Sequence, residues 1–394
     1  MKKFRKMNIQ FFGGSSITRS NAEALIPTQV SKDILEGVIK GSTVLSTFRK
    51  LSNMTSNKTE MKVLDLLPVA YWQTSDTATK NLTKMAWDKK FIYAEEIAVI
   101  VPIAEAVFDD AEYDIWGEVK PRLIEAFHKK IDQAILVGID KPAKFRQDLV
   151  SSALSAGLTV TQGSKTLYET IAGEDGLMAK VEEAGYNPTA LLGGVGLKAK
   201  MRMLLDGSGN PMAGTAVNGL VQHYVDNGSW DKTRALAVVG DFSQAVYSIR
   251  QDITFKILDQ AVIQDPATGE ILYNLAQNDM IALRAVMRLG WEIPNPINAL
   301  NETETRFPFA VLLPSVTPTT HNVTISVEDS EGAVSGAKVT LGGNDKKTNA
   351  SGNAVFKSLG NEKLLYKVVK DGYETAYGEV EVKSTDTTVT VVLK

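Results

Sequence analysis

Apolar and polar positions alternate with different periods along the chain, and the changes of period divide it into segments. Residues 1–30 are polar and Ser/Asn-rich, contain Pro27, and read as an irregular arm. From Ser31 to Leu45, the residues Ile34, Val38 and Leu45 lie at roughly helical spacing, with Ser31 placed to cap the start. Between residues 50 and 101 the period becomes two. Met61–Val69 reads as a strand, Gln73–Lys84 as a polar turn region, and Trp87, Phe91, Tyr93, Ile97, Val99 and Val101 share one parity. Asp88, Lys90 and Glu96 share the other. The pattern predicts a long two-stranded excursion, which has no core of its own and is marginal in water. It must therefore pack either on its own domain or across a neighbouring subunit, and the alternation leaves both open.

Helical period returns over 102–138. Pro102 opens a segment that ends in Asp109, Asp110, Glu112 and Asp114, carboxylates better read as helix caps than as metal ligands. The stripe Ile115, Trp116, Val119, Leu123, Phe127, Ile131 and Ile135 predicts a long amphipathic helix ending at Gly138. Pro121 should kink it or sit in its first turn, and His128 is expected on its polar side. Residues 150–290 mix elements: helices at Leu167–Ala184 and Gly196–Leu205, and strands at Ala190–Leu192, Ala235–Val239, Ala245–Ile249, Ile253–Leu258 and Asp279–Arg288. The Pro/Thr-punctuated stretch 307–320 reads as a linker. Beyond it, short alternating strands separated by Gly/Asn/Asp turns (Val323/Ile325/Val327, Val339/Leu341, Leu364/Tyr366/Val368) predict a small β-sandwich. The class is α+β.

A chain of 394 residues suits two or three domains. Its net charge of -3 argues against a protein that grips phosphates, since nucleic-acid binders carry a basic excess. Cysteine is absent, which removes disulfides, zinc-thiolate sites and cysteine nucleophiles. Lys2, Lys3, Arg5 and Lys6 imitate a secretory leader, but the following Ile9, Phe11 and Phe12 are interrupted by Gln10 and fall short of the run of about 7–15 apolar residues required. No apolar run approaches the roughly 18 residues of a membrane span. The search for chemistry finds no phosphate loop and no nucleophile elbow. Gly193–Lys200 has glycines at neither Walker nor dinucleotide spacing, and His128, His223 and His321 are scattered. No catalytic, cofactor-binding or metal residue is expected.

Four stretches in order resemble the tailed-phage major capsid proteins of the Hong Kong ninety-seven fold, over roughly residues 1–305. Residues 7–14 (MNIQFFGG) are similar to the opening of such proteins, with Met7 a possible true start. The 50–101 hairpin resembles their extended loop. Residues 101–138 resemble the entry to the peripheral domain and its spine helix. Residues 238–257 with 278–293 resemble axial-domain strands and the return to the peripheral domain. The tail from 321 is similar to immunoglobulin-like and carboxypeptidase-regulatory-like sandwiches.

The resemblance implies an arm (1–49), an extended loop (50–101), a peripheral domain with spine helix (102–149), an axial domain (150–278), return strands (279–306), the linker (307–320) and an immunoglobulin-like domain (321–394). It implies a virion shell of hexamers and pentamers, assembled in the bacterial host cytoplasm around double-stranded DNA held without sequence-specific contacts. A separate scaffolding protein and a portal are the expected partners, and no membrane is. Trp72, Trp87, Phe91, Trp116 and Arg122 are the assembly candidates. The family's covalent crosslinking makes Lys58 or Lys62 with Asn298 or Asn301 conceivable. The linker suggests a tail projecting outward as a decoration, with a glycan or cell-surface ligand set against a stabilising or neutral appendage. An encapsulin-type nanocompartment shell and a surface adhesin with an immunoglobulin-like module are the alternatives.

Overall fold

The computed structural model describes residues 41–73, 79–80, 82–106, 115–204, 219–265, 268–302, 306–315, 319–358, 360, 362–383 and 385–394. They fall into two compact units. One is built from Ala98–Lys120 and Asp252–Met287, the other from Gly37–Ile97, Pro121–Gln251 and Arg288–Lys394. Ser31 and the carboxylates at 109, 110, 112 and 114 lie outside the described residues.

Helix α1 (Thr43–Thr47) begins at Ser42, whose hydroxyl accepts from the Leu45 amide. After the short β1 (Arg49–Lys50) come the hairpin strands β2 (Lys58–Leu66) and β3 (Ala86–Tyr93), then β4 (Glu95–Ala104). Helix α2 (Ile115–Asp132) follows, and Leu123, Phe127 and Ile131 on its predicted stripe are buried. The last turn loosens into π geometry at Gln133–Val137, where Ala134 to Val137 are all buried, and Gly138 ends it at φ +70°. Pro121 is the seventh residue of α2, past its first turn. His128 is not on a polar face but buried. Gly41 lies against its imidazole so closely that a β-carbon there would overlap the ring.

The carboxylate of Asp132 explains how α1 is held to α2. It accepts from the Ser42 hydroxyl, from the Thr43 and Val44 amides at 3.1 and 3.3 Å, and from Asn227 Nδ2 at 2.8 Å. Burial pushes its pKa up, and these donors work against that shift.

Next come α3 (Leu149–Ala156), β5 (Thr159–Thr161), α4 (Leu167–Ala172), α5 (Leu177–Glu183), β6 (Ala190–Gly194), α6 (Val195–Arg202), β7 (Val221–Val225) and β8 (Ala237–Gly240). The single helix expected over Leu167–Ala184 is thus two. A capping box between Thr166 and Glu169 starts the first, and Gly173 and Gly176 interrupt the run. Strands β9 (Val246–Leu258) and β12 (Met280–Glu292) bracket the small antiparallel hairpin β10 (Val262–Gln264) and β11 (Ile271–Asn274). A sheet has the order β1-β9-β12-β4.

The stretch expected to be a linker contains β13 (Phe309–Leu313), which pairs antiparallel with β8 and parallel with β5 in a sheet of order β5-β13-β8-β6-β7. All five of its residues are buried. An unbroken apolar run covered on both faces is the mark of an internal strand, and the prolines at 308 and 314 bound it rather than loosen it. The core beneath this sheet joins Leu191, Val239, Ala310 and Leu312 to Leu177 and Val181 of α5.

The tail forms two sheets around one core. The first has the order β15-β14-β18, with β21 also on β14: β14 (His321–Asp329), β15 (Gly332–Ala333), β18 (Asn353–Ser358) and β21 (Thr387–Val392). The second has the order β17-β16-β19-β20, from β16 (Lys338–Leu341), β17 (Asn344–Lys347), β19 (Glu362–Val369) and β20 (Ala376–Val382). Val323, Ile325 and Phe356 of one sheet meet Val339, Leu364 and Val368 of the other. All pairings are antiparallel except β14 with β21.

Asp132→Ala removes the shared acceptor of four donors, two of them in buried contacts. It is expected to lower the stability of the unassembled chain by about 3 kcal/mol in chemical denaturation, with Asp132→Asn recovering part of the loss. Equal stability of the alanine variant would refute this role.

Candidate assembly interface

The register of β2 on β3 sorts the hairpin into two faces. Met61 lies opposite Lys90, Val63 opposite Asp88 and Leu64 opposite Trp87, with an irregularity between Leu64 and Leu66. One face therefore carries Met61, Val63, Asp88, Lys90 and Ile92. Val63 and Ile92 are buried, and Ile92 packs with Met54 and Val246. Gly290 of β12 fits there because a β-carbon would come within 2.4 Å of the Tyr93 carbonyl oxygen.

The other face carries Glu60, Lys62, Leu64, Trp87, Lys89 and Phe91. Lys89 pairs with Glu60 at 3.0 Å, and the Lys58 ammonium sits 3.7 Å above the Phe91 ring. Toward the tip this face gives way to a concentration of exposed apolar side chains. Trp72 is 100% exposed, Leu82 89% and Trp87 61%, with Leu66, Val69, Tyr71 and Met85 exposed beside them. Single exposed apolar residues are ordinary, but seven within one hairpin segment form a candidate interaction surface.

Of the assembly candidates, the structure brings Trp72 and Trp87 to this surface and sets Phe91, half-buried, under Lys58. The side chain of Trp116 lies outside the described residues. Arg122 is exposed and pairs with Glu125 one turn along α2, a contact worth only a few tenths of a kcal/mol. Lys58 and Lys62 are exposed on β2. The Asn298 side chain is already engaged, donating to the Ala184 carbonyl at 3.0 Å and accepting from the Leu300 and Asn301 amides. That turn runs beside β2, since the Ile297 amide donates to the Leu64 carbonyl.

Sequence reasoning missed the charged joint at the hairpin's base. Lys338 of β16 reaches Asp88 at 2.8 Å, Asp65 at 3.1 Å and Asp345 at 3.7 Å, while Lys90 reaches Asp345 at 2.7 Å. Next to it the Arg146 guanidinium, fully buried, pairs with Glu292 at 2.9 Å and donates to Asn344 Oδ1 at 3.0 Å. Burial pushes Glu292 up and Arg146 down, and each is partly restored by the other. The only trace in the sequence was the parity shared by Asp88 and Lys90, opposite to that of Trp87 and Phe91. No sequence spacing links them to Lys338 and Asp345, some 250 positions away.

The joint has a defined acid response. Burial raises the Asp345 carboxyl, but Lys90 and Lys338 outweigh it and hold the group down at about 2. Asp88 is likewise lowered, burial being outweighed by Lys338. Because both folded values lie below the ordinary 3.8, their contribution is present above that value and is lost as the pH falls through the folded values, about 2 for Asp345. A carboxyl NMR titration of the full chain is expected to place the Asp345 midpoint near 2, and nearer 3.8 in Lys90→Met. An ordinary midpoint in the parent chain would contradict the joint.

The phage capsid family model matches residues 22–301. The major capsid protein of Staphylococcus phage 80alpha is 22% identical over 305 residues, spanning 73% of this chain and 91% of that protein. A solved chain from Mycobacterium phage Cain is 34% identical with a TM-score of 0.62, covering 77% of this chain and 100% of its own. Another, from Mycobacterium phage Adephagia, is also 34% identical with a TM-score of 0.62, covering 71% and 92%. The family match stops before β13, so the tail stands outside it. The chain belongs to the phage capsid family, as a major capsid protein and thus a structural component of a phage head.

Proposed function

We propose that the protein assembles through hexamers and pentamers into an icosahedral shell of the Hong Kong ninety-seven type around double-stranded DNA. The observation that carries this reading is the apolar hairpin tip, exposed in the single chain and matched in kind to the interior of a protein interface. Aromatic anchors such as Trp72 and Trp87 are the side chains that contribute most when a partner buries them. The near-neutral charge supports a shell that contains its genome without gripping it by sequence or by a basic lining. A separate scaffolding protein, a portal and assembly in the host cytoplasm belong to the same proposal. The two-sheet tail supports an immunoglobulin-like accessory domain carried by each subunit. The pairing of its Lys338 with Asp88 of the hairpin, and the strand β13 within the stretch expected to be a linker, support a domain held against its own subunit.

Electron microscopy of the chain expressed alone and with its upstream gene tests the proposal. Closed shells, tubes or capsomer rings are expected, and a monodisperse monomer under both conditions would refute it. Trp72→Ser with Trp87→Ser should leave the single chain's stability within about 0.5 kcal/mol, because both side chains are exposed. The same pair should abolish or strongly reduce shell formation. Normal shells from the double variant would remove the tip from the interface.

A further inference from the structure

We propose that the C-terminal sandwich is a brace that fixes the direction of the extended hairpin of its own subunit, with Lys338 and Asp345 as the positioning residues. Its consequence for assembly rests on the shell reading above, whereas the grip itself does not.

The hairpin presents an awkward face at its base. Asp88 and Lys90 share their side of the ribbon with the buried Val63 and Ile92, where an unpartnered charge is costly. The tail supplies the opposite charges. Lys338 stands among Asp65, Asp88 and Asp345, and Lys90 joins Asp345 and reaches the Gly343 carbonyl. Only Asp65 of this set is more than about a third exposed, so the lattice is largely shielded from solvent.

A second grip is made by backbone. The turn between β16 and β17 holds Gly342 and Gly343 at φ +53° and +87°, and the Gln147 amide donates to the Gly342 carbonyl at 2.6 Å. A β-carbon at Gly342 would lie 2.9–3.2 Å from Leu364 and Gln147, and one at Gly343 would lie 2.9 Å from Arg146. Both glycines thus allow a close approach as well as a left-handed turn. Asn344 completes the contact, accepting from Arg146 and donating to Gln147 Oε1 at 2.6 Å.

The tether favours docking over display. β13 is locked in its sheet up to Leu313 and β14 begins at His321, so only a short connection separates the sandwich from the body. A short tether gives the docked contact a high effective concentration. The charge lattice then selects one orientation, because Lys338 must meet Asp65 and Asp88 while Asp345 meets Lys90.

Hydrogen exchange on the unassembled full-length chain tests the brace. Lys338→Ala is expected to speed exchange in 58–66 and 86–93 by about tenfold or more, the loss of a partly buried charged contact. The body strands Ala190–Gly194 and Ala237–Gly240 should be unchanged, and Lys338→Arg should stay within about twofold of the parent. Unchanged hairpin exchange in both Lys338→Ala and Asp345→Asn would overturn the proposal. So would an equal rise in the body strands, which would mean general destabilisation rather than positioning. Closed-shell yield, read in parallel, should fall for Lys338→Ala and return for Lys338→Arg. A normal yield for Lys338→Ala would overturn the assembly role, whereas a parent chain that forms no shells would overturn the shell reading instead.

Discussion

A two-stranded ribbon in water has two faces to cover and no core with which to cover them, and the arrangement around β2 and β3 follows from that constraint. The base of one face is covered from within the chain. Ile92 meets Met54, Val246 and the bare backbone of Gly290, while Asp88 and Lys90 meet charges from the tail. The tip, from Leu66 to Tyr71, Trp72 and on to Trp87, is left apolar and exposed. An internally satisfied base with an unsatisfied tip is what a subunit needs if its hairpin must keep its direction before a neighbour arrives.

The magnitudes separate contacts that matter from those that decorate. The exposed Arg122–Glu125 pair contributes little, because solvent screens it and both side chains remain free to move. The Arg146–Glu292 pair is sealed from water, so losing either partner would strand a buried charge at a cost of about 3–5 kcal/mol. Lys338 lies between these limits. Its strength comes from number, since three carboxylates hold its ammonium well above the ordinary lysine value against the pull of burial. Such a lattice specifies orientation more than it adds stability.

Much of the architecture was legible as periodicity. The stripe from Leu123 to Ile135 announced α2 and its burial, Gly138 its end, and strict alternation in the tail announced two sheets around one core. Local patterns failed where burial was decided by distant partners. Phe309–Leu313 looked like linker because prolines bound it, although an unbroken apolar run of five is the form of a strand covered on both sides. His128 looked solvent-facing by its place on the helix, but it is buried, with Gly41 against its ring. Asp88 and Lys90 were legible only as one parity of a strand, because nothing within the hairpin's own sequence shows that Lys338 and Asp345 will come to meet them. The exposure of Trp72 and Trp87 was readable for the opposite reason: the ribbon offers them nothing to pack against.

The most direct test of the account is a cryo-electron microscopy map of the assembled particle at side-chain resolution. The account predicts residues 66–73 and 82–87 buried against a neighbouring copy, with Lys338 still seated between Asp65 and Asp88 of its own chain. A map with the hairpin tip open to solvent, or with the sandwich swung away from the hairpin base, would contradict it.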